Sequence, residues 1–192
     1  MSTKHNGLAY TFWHWRRSSV PAAEYEERQR TFHAALAEHP PAGFSHSISS
    51  SVTGAPWANG GGEAYQDRYI VRDSAALDAL EEAAISGARQ RPHDDAARDA
   101  EGGTAGLYQA RVGRPISAPR QTLWFAKPDG MRYEELFARC GPLVRDGESV
   151  LWMRQMVLGP STEFCIESAN ELTLPREFRP LAVALRPLWP VG

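Results

Sequence analysis

The chain is poor in features that mark several common protein classes. It has only two cysteines, Cys140 and Cys165, whose spacing fits no metal clip, so we expect both thiols to be reduced. No apolar run approaches the roughly 18 residues that a membrane-spanning helix needs. The first ten residues, MSTKHNGLAY, lack the basic-then-apolar order of a signal peptide, and a cytoplasmic location is the expectation that remains.

Charges of the two signs are nearly balanced. The formal net charge of −2 supplies no field that would attract nucleic acid or an anionic lipid surface. We therefore expect no nucleic-acid or membrane partner, and a monomer or homodimer that binds a small molecule. The chain also has no P-loop, no G-x-S-x-G, no H-E-x-x-H and no G-x-G-x-x-G that leads from a strand into a helix. No metal site and no dinucleotide site are predicted.

Tryptophan, in contrast, is abundant, with six residues in the chain. Two of them lie in FWHWRR, residues 12–17. The content of 42% hydrophobic and 23% charged residues is typical of a globular protein, so these rings are expected to be buried. Because tryptophan supplies large buried area, the excess indicates an interior lined by aromatic side chains.

The first half of the chain alternates between strand-like and helix-like patterns. Strands are predicted at residues 8–16, 43–51, 65–71 and 106–112. Apolar residues at helical spacing predict a helix at 22–39, ended by Pro40, and a second one after a cap at Asp73 or Ser74. Residues 92–105 are polar and predict a short helix and a loop. The resulting order, βαββαβ, is that of a ferredoxin-like unit.

The second half repeats this order in a shorter form. Its predicted strands are residues 120–128, 149–157, 163–167 and 181–190, with a short helix at 132–140 and at most two helical turns at 174–180. We therefore predict an α+β protein of two tandem ferredoxin-like βαββαβ units, residues 1–112 and the shorter 120–192, joined by a linker at 113–119. The two units are expected to form one compact body.

Both faces of the predicted strands carry large apolar residues. In the strand at 8–16, one face has Tyr10 and Phe12 and the other has Trp13 and Trp15. A sheet with one face in water would be polar at every second position, and contiguous exposed apolar patches mark interfaces. We therefore expect the two sheets to face each other, forming an α/β barrel with a shared interior and with the helices outside.

Two ferredoxin-like units with facing sheets resemble the dimeric α/β-barrel superfamily, here as a single-chain tandem fusion. The resemblance lies in the order of elements over nearly the whole chain, because the superfamily has no short shared motif. Its members include cofactor-free monooxygenases, stress-responsive barrels, muconolactone isomerases, haem-degrading monooxygenases and chlorite-dismutase-like enzymes. Their ligands commonly lie in the barrel interior.

The resemblance implies a barrel that binds a small aromatic or hydrophobic metabolite in its interior, as a cofactor-independent monooxygenase, isomerase or cyclase. A haem-binding or haem-dependent protein of the same superfamily is the first alternative, and a non-catalytic binding or scaffold domain is the second. The first two functions need an open interior, whereas a scaffold would fill it with tryptophan. No cofactor is predicted, and haem is the one cofactor that stays open.

A carboxylate between two tyrosines is the strongest candidate for chemistry. The segment YQDRYIV places Asp67 on one strand face with Tyr65 and Tyr69, and a buried carboxylate requires partners. The first and third strands of a ferredoxin-like sheet are neighbours, which brings Asp67 within reach of His14 or Arg16. An Asp–His pair orients an imidazole for proton transfer, although it also occurs as a structural salt bridge. His14 and Asp67 are therefore the catalytic candidates.

Arg154 is the polar candidate of the second half. If residues 158–161 form a four-residue hairpin, Arg154 lies opposite Cys165, with Glu163 and Glu167 diagonally on either side. Such a guanidinium is either part of a structural ion pair or a donor fork for an anionic or carbonyl-bearing ligand. The predicted ligand-pocket residues are Tyr10, Phe12, Arg16, Tyr65, Tyr69, Trp124, Trp152 and Arg154.

His93, in the segment PHDD, is the candidate axial ligand if haem binds. The same residues also fit a solvated surface segment, because neighbouring side chains seldom converge on one metal ion. The glycine-rich segment at 53–62 has Trp57 as its one large apolar residue. It is interpreted either as a lid over the barrel mouth or as an ordinary surface loop.

Overall fold

The computed structural model describes residues 7–190, which form an α+β structure with a closed antiparallel barrel. The barrel has eight strands: β1 (Leu8–Arg16), β2 (Phe44–Val52), β3 (Ala64–Val71), β4 (Ala100–Gly113), β5 (Gln121–Phe125), β6 (Ser149–Arg154), β7 (Phe164–Ser168) and β8 (Leu181–Trp189). Four α-helices lie among the described residues: α1 (Ala22–Glu38), α2 (Ala75–Ala84), α3 (Gln90–Asp99) and α4 (Tyr133–Cys140). None of these helices is both long and apolar enough to span a bilayer.

The strands follow one another around the barrel in the order β1-β3-β2-β8-β5-β7-β6-β4, and β4 returns to β1. Two seams join the halves of the chain. At one seam β2 pairs with β8, and at the other β4 pairs with β6. Within each half the order is the same, β4-β1-β3-β2 in the first and β8-β5-β7-β6 in the second. This order places β1 and β3 side by side, as the predicted contact between His14 and Asp67 requires.

The fourth strand is longer than its sequence pattern predicts. It begins at Ala100, although the polar stretch before Gly106 suggested a loop. Glycine explains the difference, because a Cβ added at Gly102 or Gly103 would lie within 2.6 Å of the Trp15 or Phe12 ring respectively. The two rings pack directly on the strand backbone, which is one of the uses of glycine in a strand.

The connection between β6 and β7 is also longer than predicted. β6 ends at Arg154 and β7 begins at Phe164, so the expected four-residue hairpin at 158–161 is wrong. Trp152 therefore pairs with Cys165, whereas the hairpin had placed it opposite Glu167. The shift is two residues, so each side chain keeps its predicted face.

Two polar segments have different outcomes. The segment predicted as a short helix and a loop contains α3, with Pro92 in its first turn, where the missing N–H leaves no helical hydrogen bond unmade. The segment at 174–180 forms one 3₁₀ turn, Arg176–Phe178. Ser74 is the N-cap residue of α2, and the preceding Asp73 supplies the side-chain acceptor, its Oδ1 accepting a hydrogen bond from the Ala76 N–H at 3.1 Å.

The two faces of the barrel strands belong to different packed regions. Side chains inside the barrel include Trp13, Tyr108, Trp124 and Trp152, each with 1% exposure or less. On the outer face of the first half, Leu8, Tyr69 and Val71 pack against α1 and α2 through Phe32, Leu36 and Leu80. On the outer face of the second half, Leu123, Phe125, Phe164 and Ile166 pack against Leu136 of α4. The aromatic residues on both strand faces are thus explained by two packed layers, one inside the barrel and one under the helices.

Candidate functional site

A cavity of about 570 Å³ lies between the outer face of β1 and β3 and the helices α1, α2 and α3. Its wall is mostly apolar and includes the rings of Tyr10, Phe12, Phe32 and Tyr69. Polar groups also reach it from five elements: His14, Tyr25, Gln29, Asp67, Glu81 and His93. A concave, largely apolar space with a few convergent polar groups is the usual form of a small-molecule site.

Asp67 is the centre of the polar wall. It lies on β3 directly between Phe12 of β1 and Ser49 of β2, and only 1% of it is exposed. Its Oδ2 lies 3.1 Å from His14 Nε2 and 3.2 Å from His33 Nε2. The same oxygen accepts a hydrogen bond from the Tyr69 hydroxyl at 3.1 Å. One carboxylate oxygen therefore has two imidazoles and a phenol as neighbours.

Each histidine has a second partner on its other ring nitrogen. His14 Nδ1 lies 2.6 Å from the Tyr25 hydroxyl, and His33 Nδ1 lies 2.7 Å from the Ser47 hydroxyl. One assignment of protons satisfies both contacts: the hydroxyls donate to Nδ1, which leaves the proton of each imidazole on Nε2, the nitrogen nearer to Asp67. The result is two chains that meet at one carboxylate, Tyr25–His14–Asp67 and Ser47–His33–Asp67.

The rings of this cluster are also fixed by stacking. His14 lies between Phe12 and Tyr65, at centroid distances of 5.1 and 5.6 Å. His33 stacks on Tyr69 at 5.5 Å. Both imidazoles are 1% exposed or less, so their orientation is set by packed neighbours as well as by hydrogen bonds.

Electrostatics keeps the carboxylate charged and the phenols neutral. Burial opposes ionisation of Asp67, but the charges and hydrogen bonds of His33 and His14 outweigh it and hold the pKa of Asp67 well below its usual range. Burial, with the charge of Asp67 next, raises the pKa of Tyr25 and of Tyr69 well above the usual value. Both phenols are therefore hydrogen-bond donors at neutral pH.

The second oxygen of Asp67 is different from the first. Asp67 Oδ1 is buried and has no hydrogen-bond partner, although its residue forms part of the cavity wall. A buried carboxylate oxygen with no donor is costly, because the group has lost water without a replacement. Asp67, a residue of the cavity wall, therefore has one oxygen that no donor of the described residues satisfies.

The structure divides the predicted site residues into three groups. His14, Asp67, Tyr10, Phe12, Tyr69 and His93 line the cavity. Arg16 and Tyr65 lie on the same barrel face beyond it: Arg16 binds Glu63 at 2.9 Å, and Tyr65 packs on Tyr25 at 5.0 Å. The third group, Trp124, Trp152 and Arg154, belongs to the barrel interior or its rim.

The sequence analysis placed the ligand chamber inside the barrel, and the structure corrects this expectation. Trp13, Trp124 and Trp152 fill the centre, and Trp57 closes on them edge-to-face, 5.0 Å from Trp124. An eight-stranded barrel is only just wide enough for side chains to fill, so four indoles leave little room for a metabolite. His14 and Asp67 instead point outward, toward the helices.

Arg154 has a different role from the predicted one. Its guanidinium donates to the backbone carbonyl oxygens of Gly159 and Ser161, so it binds the β6–β7 connection and no carboxylate of residues 7–190. The buried ion pair of this region joins Arg68 to Glu167, at 2.6 Å. The guanidinium carbon of Arg68 lies 5.3 Å from the Trp152 ring centroid.

Sequence reasoning missed His33 and Tyr25, although a signal was present. Tyr25, Gln29 and His33 recur every four residues on α1, which places them on one face of the helix. All three are buried, at 0%, 4% and 0% exposure. A polar stripe on the face that a helix turns toward a sheet is the sequence feature that could have located the site.

The predicted haem ligand, His93, lies in the cavity wall, but the charges of that wall do not complement those of haem. His93 lies on α3 at the cavity wall, with its Nδ1 3.1 Å from Asp94 Oδ1 and its ring edge-on to Phe32. Haem also carries two carboxylate groups, and no lysine or arginine lines the cavity within residues 7–190, whereas Asp67 and Glu81 do. Within the same residues, no three His, Cys, Asp or Glu side chains lie close enough together to hold a metal ion.

Solved structures with the same fold exist at very low sequence identity. A proposed monooxygenase from Fusobacterium nucleatum superposes with a TM-score of 0.63 and 9% identity, over 95% of this chain and 92% of its own. A proposed chlorite dismutase superposes with a TM-score of 0.52 and 7% identity, over 94% of each chain. Chlorite dismutase from Candidatus Nitrospira defluvii gives a TM-score of 0.47 and 11% identity, over 97% of this chain and 93% of its own.

The first two of these likenesses show a shared ferredoxin-like fold and nothing finer. No family model matches the chain, and no curated protein matches it in sequence.

Proposed function

We propose that the protein is a cofactor-independent enzyme that moves a proton on a small aromatic or hydrophobic molecule in the outer cavity, as an oxygenase, isomerase or cyclase. The observation that carries this proposal is the Tyr25–His14–Asp67 chain in the wall of an apolar cavity, with contacts of 2.6 and 3.1 Å. The three classes share one step, removal of a proton from an activated C–H or O–H, which is the step that such a chain performs.

Tyr25 is the group of the chain that meets the ligand. Both nitrogens of His14 are already used, one by Tyr25 and one by Asp67. A ligand proton therefore passes to the Tyr25 oxygen while the Tyr25 proton passes to His14 Nδ1. Asp67 then stabilises the imidazolium that forms, in the way that the carboxylate of a catalytic triad does. The raised pKa of Tyr25 favours transfer of both protons together over a standing phenolate.

Exchange of an activated C–H with solvent tests this function. We would measure deuterium uptake at C1 of 2-tetralone, an aromatic ketone with an acidic C–H, by NMR with and without the protein. The wild type is expected to accelerate uptake, and Tyr25→Phe is expected to lower that acceleration by about 10²-fold or more, since general acid–base groups contribute about that much.

Tyr133→Phe is the matched control, because Tyr133 is an exposed tyrosine that hydrogen-bonds Glu163 far from the cavity. It is expected to leave the exchange rate unchanged. An absence of acceleration by the wild type, or equal rates in the wild type and Tyr25→Phe, would remove proton transfer from the proposal.

We also infer that the chain is a tandem fusion of two ferredoxin-like units. Two features support this. The element order is strand, helix, strand, strand, helix or 3₁₀ turn, strand in each half, and the spatial order of strands is the same in each half. The second unit has a single 3₁₀ turn, Arg176–Phe178, where the first has α2 and α3. The outer cavity needs α2 and α3, so this difference confines the proposed site to the first unit.

A further inference from the structure

The free oxygen of Asp67 restricts what the outer cavity can bind. His14 and Tyr69 hydrogen-bond Oδ2, and His33 Nε2 lies 3.2 Å from the same oxygen, while Oδ1 has no partner among the described residues. Hydrogen-bond donors in the cluster are thus already directed to one side of the carboxylate. A group that satisfies the other side has to come from outside the protein and has to carry an N–H or O–H.

The charges around the cavity point the same way. The strands contribute Asp67, α2 contributes Glu81, and α1 contributes the neutral Gln29. From α3 comes His93, whose Nδ1 lies against Asp94. No lysine or arginine of the described chain lines the space. An anionic ligand would therefore meet the carboxylates of Asp67 and Glu81 without a lysine or arginine to offset them.

We infer that the ligand carries a hydrogen-bond donor, an amine or a hydroxyl, that binds Asp67 Oδ1, and that the cavity rejects carboxylates and other anions. The inference rests on the proposed function, because it names the ligand class of the same cavity. Tyr10, Phe12 and Phe32 then surround the apolar body of the ligand. An ammonium group would bind more tightly still, because aromatic faces attract cations and the nearby carboxylates balance its positive charge.

Four naphthalenes with one varied substituent test the inference. The probes are 2-(aminomethyl)naphthalene, 2-naphthol, 2-methoxynaphthalene and 2-naphthoate, and their dissociation constants would be measured by titration calorimetry at pH 8. The amine and the naphthol are expected to bind at least about tenfold more tightly than the methoxy compound, the usual size of a hydrogen bond to a charged group. The naphthoate is expected to bind more weakly than the methoxy compound.

The variant Asp67→Asn gives a second readout. The donors around the Oδ2 position will select the amide oxygen of the asparagine, which turns its NH₂ toward the cavity. The preference for naphthol over methoxynaphthalene is therefore expected to disappear or to invert. Asp129→Asn is the control, because it also removes one carboxylate, from an exposed residue outside the cavity wall, and it should leave all four affinities unchanged.

The outcomes separate this inference from the proposed function. If the methoxy compound binds as tightly as the amine and the naphthol, the donor requirement is wrong. If naphthoate equals or exceeds the donors, the rejection of anions is wrong. In either case the cavity remains a ligand site. If none of the four binds, the outer cavity is no aromatic ligand site, and the proposed function fails with the inference. If Asp67→Asn does not fold, the order of the four affinities in the wild type still decides the question.

Discussion

The barrel interior and the outer cavity each contain a fully buried carboxylate, and the two differ in how many of their oxygens have partners. Inside the barrel, Glu167 binds Arg68 at 2.6 Å and accepts the Trp152 indole N–H at 2.9 Å on its other oxygen. In the cavity wall, Asp67 has all its donors on one oxygen and none on the other.

The two carboxylates differ in how completely the chain itself pairs them. Glu167 is closed on both oxygens by groups of the same chain, and it links β7 to β3 across the barrel. Asp67 is buried to a similar extent, but only one of its oxygens has partners, and the residue lines the apolar cavity. The unpaired oxygen of Asp67, in a residue that lines an apolar cavity, is therefore the feature that supports the proposed ligand site.

The largest expected effect comes from breaking the interior pair. Glu167→Gln leaves the Arg68 guanidinium buried without a counter-charge, which costs about 3–5 kcal/mol of unfolding free energy. Urea denaturation followed by tryptophan fluorescence measures the loss. The double variant Arg68→Met with Glu167→Gln should recover a substantial part of it, since removing both charges leaves neither unpaired. A loss below about 1 kcal/mol in the single variant would mean that water reaches the pair.

A smaller effect is expected from acid at Asp67. Its folded-state pKa lies below the unfolded value, so the charged carboxylate stabilises the fold above the unfolded pKa near 4, and this contribution is lost as the pH falls toward the folded pKa. Between about pH 5 and pH 2 the wild type should therefore lose more unfolding free energy than Asp67→Asn. Urea midpoints of both proteins across this window measure the difference. Parallel curves would show that the histidines do not stabilise the charged form.

The contact between His14 and Asp67 could be predicted because it needs only two facts. The order βαββαβ makes the first and third strands neighbours, and the period of two places each residue on a face. The sequence could not show which face of each strand lies under the helices and which lies inside the barrel. Phe12 and Trp13 are both large and apolar, so hydrophobicity alone does not separate the layer under the helices from the barrel centre.

Helix α1 resolves that ambiguity, since its stripe of Tyr25, Gln29 and His33 faces the strand surface that carries His14 and Asp67. The register of β6 and β7 was beyond prediction for a different reason. It depends on a nine-residue connection in which Met156 adopts a positive φ of 49°. Glycine or asparagine at that position would have indicated such a conformation in the sequence, but methionine does not. The ion pair of Arg68 with Glu167 joins the two halves of the chain, and a local sequence pattern cannot predict a contact between residues so far apart.

The smallest expected change in stability belongs to the outer cavity. Ala84 lines the cavity, so in Ala84→Phe the ring enters existing space and unfolding free energy should change by less than about 1 kcal/mol. The neighbouring Ala83 is buried on α2 with 7% exposure, and Ala83→Phe should cost about 1–3 kcal/mol by overpacking. Thermal unfolding measures both.

Binding of 2-naphthol should fall at least tenfold in Ala84→Phe, although the fold is retained, because the added ring occupies the ligand's place. Equal destabilisation by the two variants would show that the space beside Asp67 closes in solution. In that case the free oxygen would be satisfied by collapse of the helices, and the contrast with Glu167 would lose its functional meaning.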